Sequence, residues 1–384
     1  MAFEPGITPV PVSGKIITKT DKAMMHKAVD EGWLTEGHFV AEFERKLEQY
    51  VGVREAIMVN SGSSANLLAL TALELPKGSE VITVACAFPT TVNPIIQNGL
   101  VPVFVDVDDT FNIDPKQLEK ALSPKTQAVM VAHTLGNPFH AGEVIEFCIE
   151  NELDLIEDCC DAMGATFEGV KVGFFGDIAT LSFYPAHQIT TGEGGALLTN
   201  KSRLSKTIRS YRDWGRDCWC TPGKDDTCGK RFCGEYDHKY TYSRIGYNLK
   251  STDLQAACGL TQMDRIDEFV QARRKNWAYL YYGLKDRYMT QQFYKESNPS
   301  PFGYAIATKD PIDMAKYLTE HKIGCRPVFA GNLLRQPAYK DIECRVIGDI
   351  PMTNWIHDHV LWVGCWPGLN KEMLDYTIKV LLEY

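Results

Sequence analysis

The amino-acid sequence predicts a wound α/β fold: a large mixed-sheet part over residues 1–250 and a smaller C-terminal α/β part over residues 251–384. Three observations carry this expectation. Between residues 56 and 199, short apolar runs alternate with helical stretches, as strands covered by helices do. The turns after several of these runs collect Gly, Ser and Asp, at the strand ends where open α/β sheets hold ligands. The chain has 384 residues, 45% hydrophobic and 23% charged, which is enough to bury more than one core.

The bulk numbers also exclude. A net charge of −9 argues against a nucleic-acid surface. No apolar run approaches the roughly 20 residues of a membrane span. Met1 to Lys15 lacks the apolar core of a signal peptide. A cytoplasmic protein without nucleic-acid or membrane partners is expected.

Taken in order, Thr20 to Glu31 reads as an opening helix, and Phe39 to Tyr50 as an amphipathic second helix that closes at Gly52. Ala56 to Val59 is a strand. It runs into Asn60-Ser61-Gly62-Ser63-Ser64-Ala65-Asn66 and a helix through Leu73. Strand, Gly/Ser turn and helix make a phosphate-binding geometry, because free N–H groups and the helix dipole face the anion. Ser and Gly also cap ordinary helices, so this motif alone is weak. Strands follow at Val81–Ala85, Val103–Val107, Ala128–Ala132 and Leu153–Glu157, with helices after Phe88-Pro89-Thr90-Thr91, near Pro115 to Leu122, and near Gly142 to Asn151. The last of these strands ends in Asp158-Cys159-Cys160-Asp161. A strand from Ala179 to Phe183 and another from Gly195 to Thr199 bracket a polar turn, and a helix covers about Arg203 to Tyr211. Asp213 to Tyr242 reads as a long loop, of a length that is usually functional. A long helix is expected from about Thr252 to Lys285, then a strand near Gly303 to Ala307 and a helix near Ile312 to His321.

The stretch from Ser182 to Gly195 presents a site loop between two strands. With the order and spacing of the other motifs, it resembles the lysine loop of sugar aminotransferases and dehydratases that use pyridoxal phosphate (PLP). The resemblance runs from about Val10 to Tyr384 and implies the aspartate aminotransferase fold. The lysine position holds His187. A lysine amine condenses with the cofactor aldehyde, whereas imidazole cannot, although it can move a proton. The resemblance therefore implies a cofactor held non-covalently as pyridoxamine phosphate (PMP). It further implies that Gly62, Ser63 and Ser182 hold the phosphate, that Phe88 stacks on the ring, and that Asp158 pairs with the pyridine nitrogen. Asn248, in Gly246-Tyr247-Asn248-Leu249-Lys250, would reach the phosphate of a neighbouring subunit in a homodimer.

Asp161, Tyr184 and His187 depart from the aminotransferase pattern and match the narrower family of hexose 3-dehydrases. In that family His187 would be the catalytic base. Tyr184 and Asp161 would either orient substrate or relay the proton of a leaving hydroxyl.

Twelve cysteines are many for a cytosolic chain, where clusters point to metal or catalysis. Six are scattered, at 86, 148, 258, 325, 344 and 365, and read as small buried residues. Cys218-x-Cys220-x₇-Cys228, with Cys160 added, resembles the [2Fe–2S] ligand set of the iron–sulfur 3-dehydrases. Cys159 is adjacent to Cys160, and Cys233 competes as a fourth ligand. A Cys₄ zinc site is the rival, although the usual paired Cys-x₂₋₄-Cys spacing is absent.

These features together imply a PMP-dependent, iron–sulfur 3-dehydrase of an NDP-4-keto-6-deoxyhexose such as CDP-4-keto-6-deoxyglucose. An NADH-dependent flavin iron–sulfur reductase would donate its electrons. The rivals are a cluster-free, glutamate-using GDP-4-keto-6-deoxymannose 3-dehydratase and a non-catalytic sensor or scaffold that lost its lysine.

Overall fold

The computed structural model describes residues 3–218, 220, 224–232 and 236–384; Cys233 lies outside them. Helices α1 (Lys19–Glu31) and α2 (His38–Val51) precede strand β1 (Glu55–Val59), helix α3 (Gly62–Thr71), β2 (Glu80–Val84), α4 (Pro89–Gln97) and β3 (Val101–Val105). The short α5 (Leu118–Ala121), β4 (Thr126–Ala132), α6 (Ala141–Glu150) and β5 (Asp154–Asp158) come next. A small ribbon of β6 (Thr166–Phe167) and β7 (Val170–Lys171) leads to β8 (Ile178–Ser182), β9 (Gly195–Thr199) and α7 (Ser202–Arg212).

The large sheet runs β1-β9-β8-β5-β4-β2-β3, as expected of a wound mixed sheet. Strand β9 is antiparallel to both neighbours, whereas β8, β5, β4, β2 and β3 pair in parallel. This places Val59, Ala132, Asp158 and Ser182 along one edge, because β1 and β8 both oppose β9. The five residues of β2, of β3 and of β9 are all buried, as strands covered by helices on both faces must be.

Helix α2 shows how the helices position that edge. Phe39, Phe43 and Leu47 recur at helical spacing, and each is at most 2% exposed. The Phe43 ring meets Phe183, just past β8, edge-on at 5.1 Å. Helix α8 (Asp253–Met263) lies close against the same ring: a Cβ on Gly259 would sit 2.7 Å from Phe43 Cε2.

The sequence led us to expect one long helix from 252 to 285. Instead α8 is followed by a separate α9 (Ile266–Leu284). Arg265 leaves helical geometry at φ −120°, and its guanidinium pairs with the buried Asp21 of α1 at 2.7 Å. Several other elements begin one or two residues before their expected starts, β3 among them.

The C-terminal region adds β10 (Ser297–Asn298), which pairs with β6, and β11 (Gly303–Ala307), α10 (Pro311–Glu320) and β12 (Cys325–Pro327). It continues with β13 (Arg345–Val346), α11 (Pro351–His359), β14 (Val360–Gly364) and α12 (Lys371–Glu383). Strands β11, β14 and β12 form a second, antiparallel sheet. Strand β13 returns to the large sheet and pairs in parallel with β3, closing its edge.

Arg212, at the end of α7, anchors the base of the 213–242 loop. It is 2% exposed. It donates to the Glu36 carboxylate at 2.6 and 2.8 Å and to Met58 O at 3.0 Å, and its own carbonyl accepts from Leu249 N at 3.1 Å. Removing one member of a buried ion pair leaves the other uncompensated, at about 3–5 kcal/mol. Arg212→Met is expected to lose stability of that order in urea unfolding; a loss below about 1 kcal/mol would show that Glu36 does not depend on it.

Candidate active site

The edge formed by β1, β4, β5 and β8 opens into a cavity of about 600 Å³. Gly62, Ser63, Phe88, Asp158, Cys160, Asp161, Ser182, Tyr184 and His187 all line it. The structure thus gathers every expected cofactor and catalytic residue except Asn248. That residue is exposed, outside the cavity, and accepts from Lys250 Nζ at 3.0 Å.

Asp158 closes β5 and is 5% exposed. Its Oδ2 accepts from Asn66 Nδ2 at 2.8 Å and from Thr91 Oγ1 at 2.7 Å; its Oδ1 accepts from the backbone N–H of Cys160 at 3.1 Å. Asn66 is fixed in turn by Thr180, whose hydroxyl donates to its Oδ1 at 2.6 Å. The carboxylate is therefore oriented by the scaffold before anything binds to it.

The phosphate cradle is equally built. Ser61 caps α3, and its Oγ accepts from Ser64 N. The first N–H groups of a helix have no intrahelical acceptor and face an anion readily. A Cβ on Gly62 would lie 2.5 Å from Ser182 Cβ and 3.1 Å from Cys160 Sγ, so only glycine lets the end of β8 approach the helix start this closely. Phe88, at the start of α4, is 52% exposed on the cavity wall, and its ring meets that of Phe329 edge to face at 6.5 Å. An oriented carboxylate, an anion cradle and an uncovered aromatic face fit a phosphorylated pyridine ring.

His187 Nδ1 lies 3.4 Å from Asp161 Oδ1 and makes no aligned hydrogen bond. The contact is not an ion pair. Burial, and then the nearby Arg273 cation, push His187 down to about 3. Burial, and then the Asp158 carboxylate, push Asp161 up to about 8. Near neutral pH the imidazole is thus fully unprotonated, and Asp161 carries its proton. Burial thus takes His187 out of the near-neutral range in which a free imidazole titrates.

Arg273, on α9, is 1% exposed and holds the site loop from behind. Its Nη2 donates to the carbonyls of Ala186 and His187 at 3.0 Å each, and its Nη1 faces those of Pro301 and Phe302 at 3.4 Å.

The cysteines divide into two places. Cys160 points into the cavity, whereas Cys159 is fully buried beside Glu157, so the two neighbours face opposite ways. Burial drives both thiols well above the usual range. In the 213–242 loop, Cys220 Sγ lies 3.5 Å from Cys228 Sγ, and Cys218 and His238 gather with Cys220. Cys160 does not join them, so one chain brings together three of the four expected thiols, with His238 beside them. Of the scattered cysteines, all but the half-buried Cys344 are buried, as expected.

The family model described as the DegT/DnrJ/EryC1/StrS aminotransferase family matches residues 15–382. The chain belongs to this family. It is 50% identical to the lipopolysaccharide biosynthesis protein RfbH of Salmonella typhimurium, over 100% of this chain and 93% of that protein. It is 44% identical to a dTDP-4-dehydro-2,6-dideoxy-D-glucose 3-dehydratase of Saccharopolyspora spinosa, over 100% of this chain and 88% of the relative. The structure of an E. coli GDP-4-keto-6-deoxy-D-mannose-3-dehydratase with bound hydrated PLP aligns with a TM-score of 0.87 at 28% identity, over 97% of this chain and 98% of that one. The fold is that of this PLP-dependent family.

Sequence reasoning missed Asn66, Thr91, Thr180 and Arg273. Asn66 and Thr91 lie inside motifs it had singled out, and Thr180 precedes the site loop on β8. Arg273 gave no signal among the charges of α9.

The paired environments of His187 and Asp161 make a pH test. Between about 3.8 and 8 the folded chain keeps a proton on Asp161 that the unfolded chain has lost, so this group lowers stability as pH rises. Between about 3 and 6.5 the unfolded chain holds the extra proton, on His187, so stability rises with pH there. The two oppose each other up to pH 6.5, and Asp161 acts alone from there to about 8. Relative to wild type, Asp161→Asn is expected to make melting temperature fall less steeply, or rise more steeply, between pH 6.5 and 8; an unchanged slope would place the titrating group elsewhere.

Proposed function

We propose that this chain is a PMP-dependent 3-dehydrase of an NDP-4-keto-6-deoxyhexose, with CDP-4-keto-6-deoxyglucose as the expected substrate. The carrying observation is His187. It stands in the site loop where the resemblance places a lysine, and it lines the same cavity as Gly62, Ser63, Asp158 and Ser182. Two similarities support the reaction class: the 44% identical relative is named a 3-dehydratase, and so is the PLP-bound structural neighbour.

When bound, PMP would supply a primary amine to the sugar ketone and a pyridine ring able to take up electrons. The chain's own residues do the rest. Asp158 pairs with the ring nitrogen, and Gly62, Ser63 and Ser182 hold the phosphate. Phe88 stacks on the ring and Asn248 reaches the neighbouring subunit's phosphate in a homodimer. The unprotonated imidazole of His187 is the group that accepts a proton. Asp161, protonated near neutral pH, has the proton that a departing C3 hydroxyl needs. Tyr184, half-exposed at the mouth, orients the sugar or shares that relay.

Reductive completion needs electrons from outside. The reading includes a [2Fe–2S] centre on Cys160, Cys218, Cys220 and Cys228, and an NADH-dependent flavin iron–sulfur reductase as donor, all in the cytoplasm. One observation favours a second reading, a glutamate-using dehydratase without a cluster: Cys160 stands apart from the three loop thiols.

Metal analysis after anaerobic purification separates the two. About two iron atoms and two acid-labile sulfides per chain are expected. Their absence after anaerobic reconstitution, with turnover sustained by glutamate alone, would establish the second reading. His187→Lys is expected to hold PLP covalently and to lose dehydrase activity; full activity in that variant would remove His187 from the mechanism.

A further inference from the structure

The 213–242 loop holds a group that the four-cysteine pattern does not include. His238 Nε2 lies 3.4 Å from Cys228 Sγ and 4.0 Å from Cys220 Sγ. The backbone N–H of Lys230 also points at Cys228 Sγ, at 3.4 Å. A backbone N–H and an imidazole nitrogen therefore converge on one sulfur. A neutral thiol is a weak acceptor. With its proton on Nε2 the ring adds a second donor, and two donors on the same sulfur suit a thiolate, above all one that ligates a metal.

His238 is held where it is by the loop's own charges. The turn His238–Tyr240 is capped by Asp237, whose carboxylate accepts from Lys239 N at 3.0 Å and from Arg231 Nε at 2.9 Å. The His238 backbone N–H donates to Arg231 O at 3.1 Å. Arg231 and Lys239 both pair with Asp225 as well. Arg231 follows Cys228 by three positions, so the histidine turn and the cysteine turn are fastened to one guanidinium. This network has no contact with the cofactor cavity that would otherwise account for it.

We infer that His238 is a tuning residue of the iron–sulfur site: its Nε2–H donates to the Cys228 thiolate, draws electron density from that sulfur, and raises the reduction potential of the cluster. The inference rests on the iron–sulfur reading above. It assigns no ligand role to His238 and leaves the fourth iron position to Cys160. Hydrogen bonds to the sulfurs are among the factors that set such potentials.

The test uses the full-length protein purified without oxygen, as wild type, His238→Phe and His238→Gln. Iron and sulfide are counted, the midpoint potential is read by EPR-monitored redox titration at one pH, and nitrogen coupling to the reduced cluster is read by pulsed EPR with ¹⁵N-histidine labelling. The expected result is a weak histidine coupling in the wild type. His238→Phe should keep its iron, lose the coupling and shift to lower potential, and His238→Gln, which retains an N–H donor, should recover part of the shift. No histidine coupling in the wild type, or an unchanged potential in His238→Phe, would overturn the inference and leave the cluster standing. Strong coupling of a directly bonded nitrogen, with iron lost from both variants, would also overturn it, making His238 a ligand. A wild-type protein that holds zinc, or no metal, would overturn the cluster reading itself and the inference with it.

Discussion

The site depends first on the Asp158 carboxylate. It is where the sheet and its covering helices meet: Asp158 ends β5, Asn66 comes from α3 and Thr91 from α4, and Thr180 of β8 holds Asn66. Asn66 and Thr91, which donate to it, are fully buried. Removing their acceptor would leave buried donors unsatisfied, at roughly 1–3 kcal/mol each. The residue proposed to face the cofactor ring is therefore also the one that ties α3 to α4. Those two helices carry Gly62 and Phe88 at their starts, so the phosphate cradle and the stacking wall take their positions from the same carboxylate.

Two fixed charges then shape the chemistry above it. Asp158 is an anion that, after burial, holds the proton on Asp161. Arg273 is a cation that, after burial, keeps the proton off His187. Burial, reinforced by each charge, makes the neighbour neutral, so the cavity offers one group able to accept a proton and one able to give it. Arg273 also grips the carbonyls of Ala186 and His187, so one side chain holds the imidazole's loop in place and adds to the effect of burial on its protonation state. Like Asp158, it links scaffold to site, since it reaches from α9 across the end of the sheet.

The sequence made the central part of this legible. Strand–helix alternation, the site loop with His187 and the strand-end Asp158 are local patterns, and local patterns survive in a single chain read. Strand periodicity would also have separated Cys159 from Cys160. Side chains alternate along an extended chain, so Cys160 shares the face of Asp158 and Cys159 takes the other. What stayed hidden depends on distant contacts. Arg273 looks like any charged residue of a half-buried helix until Ala186 and Pro301 arrive beside it. The break between α8 and α9 follows from Arg265 reaching Asp21, more than 200 positions away. Strand β13 has two residues and gave no periodic signal. His238 meets Cys228 only because Arg231 and Asp237 fold the loop on itself.

The most direct measurement follows the C3 oxygen. Protein loaded with PMP is mixed with CDP-4-keto-6-deoxyglucose carrying ¹⁸O at C3, with no reductant and no glutamate, and the label in water and sugar is followed by mass spectrometry. The expected result is release of ¹⁸O to water by the wild-type protein and none by His187→Asn. Complete retention of the label by PMP-loaded wild-type protein that has bound the sugar would contradict dehydration at C3 and leave the cavity as that of some other PMP-dependent reaction.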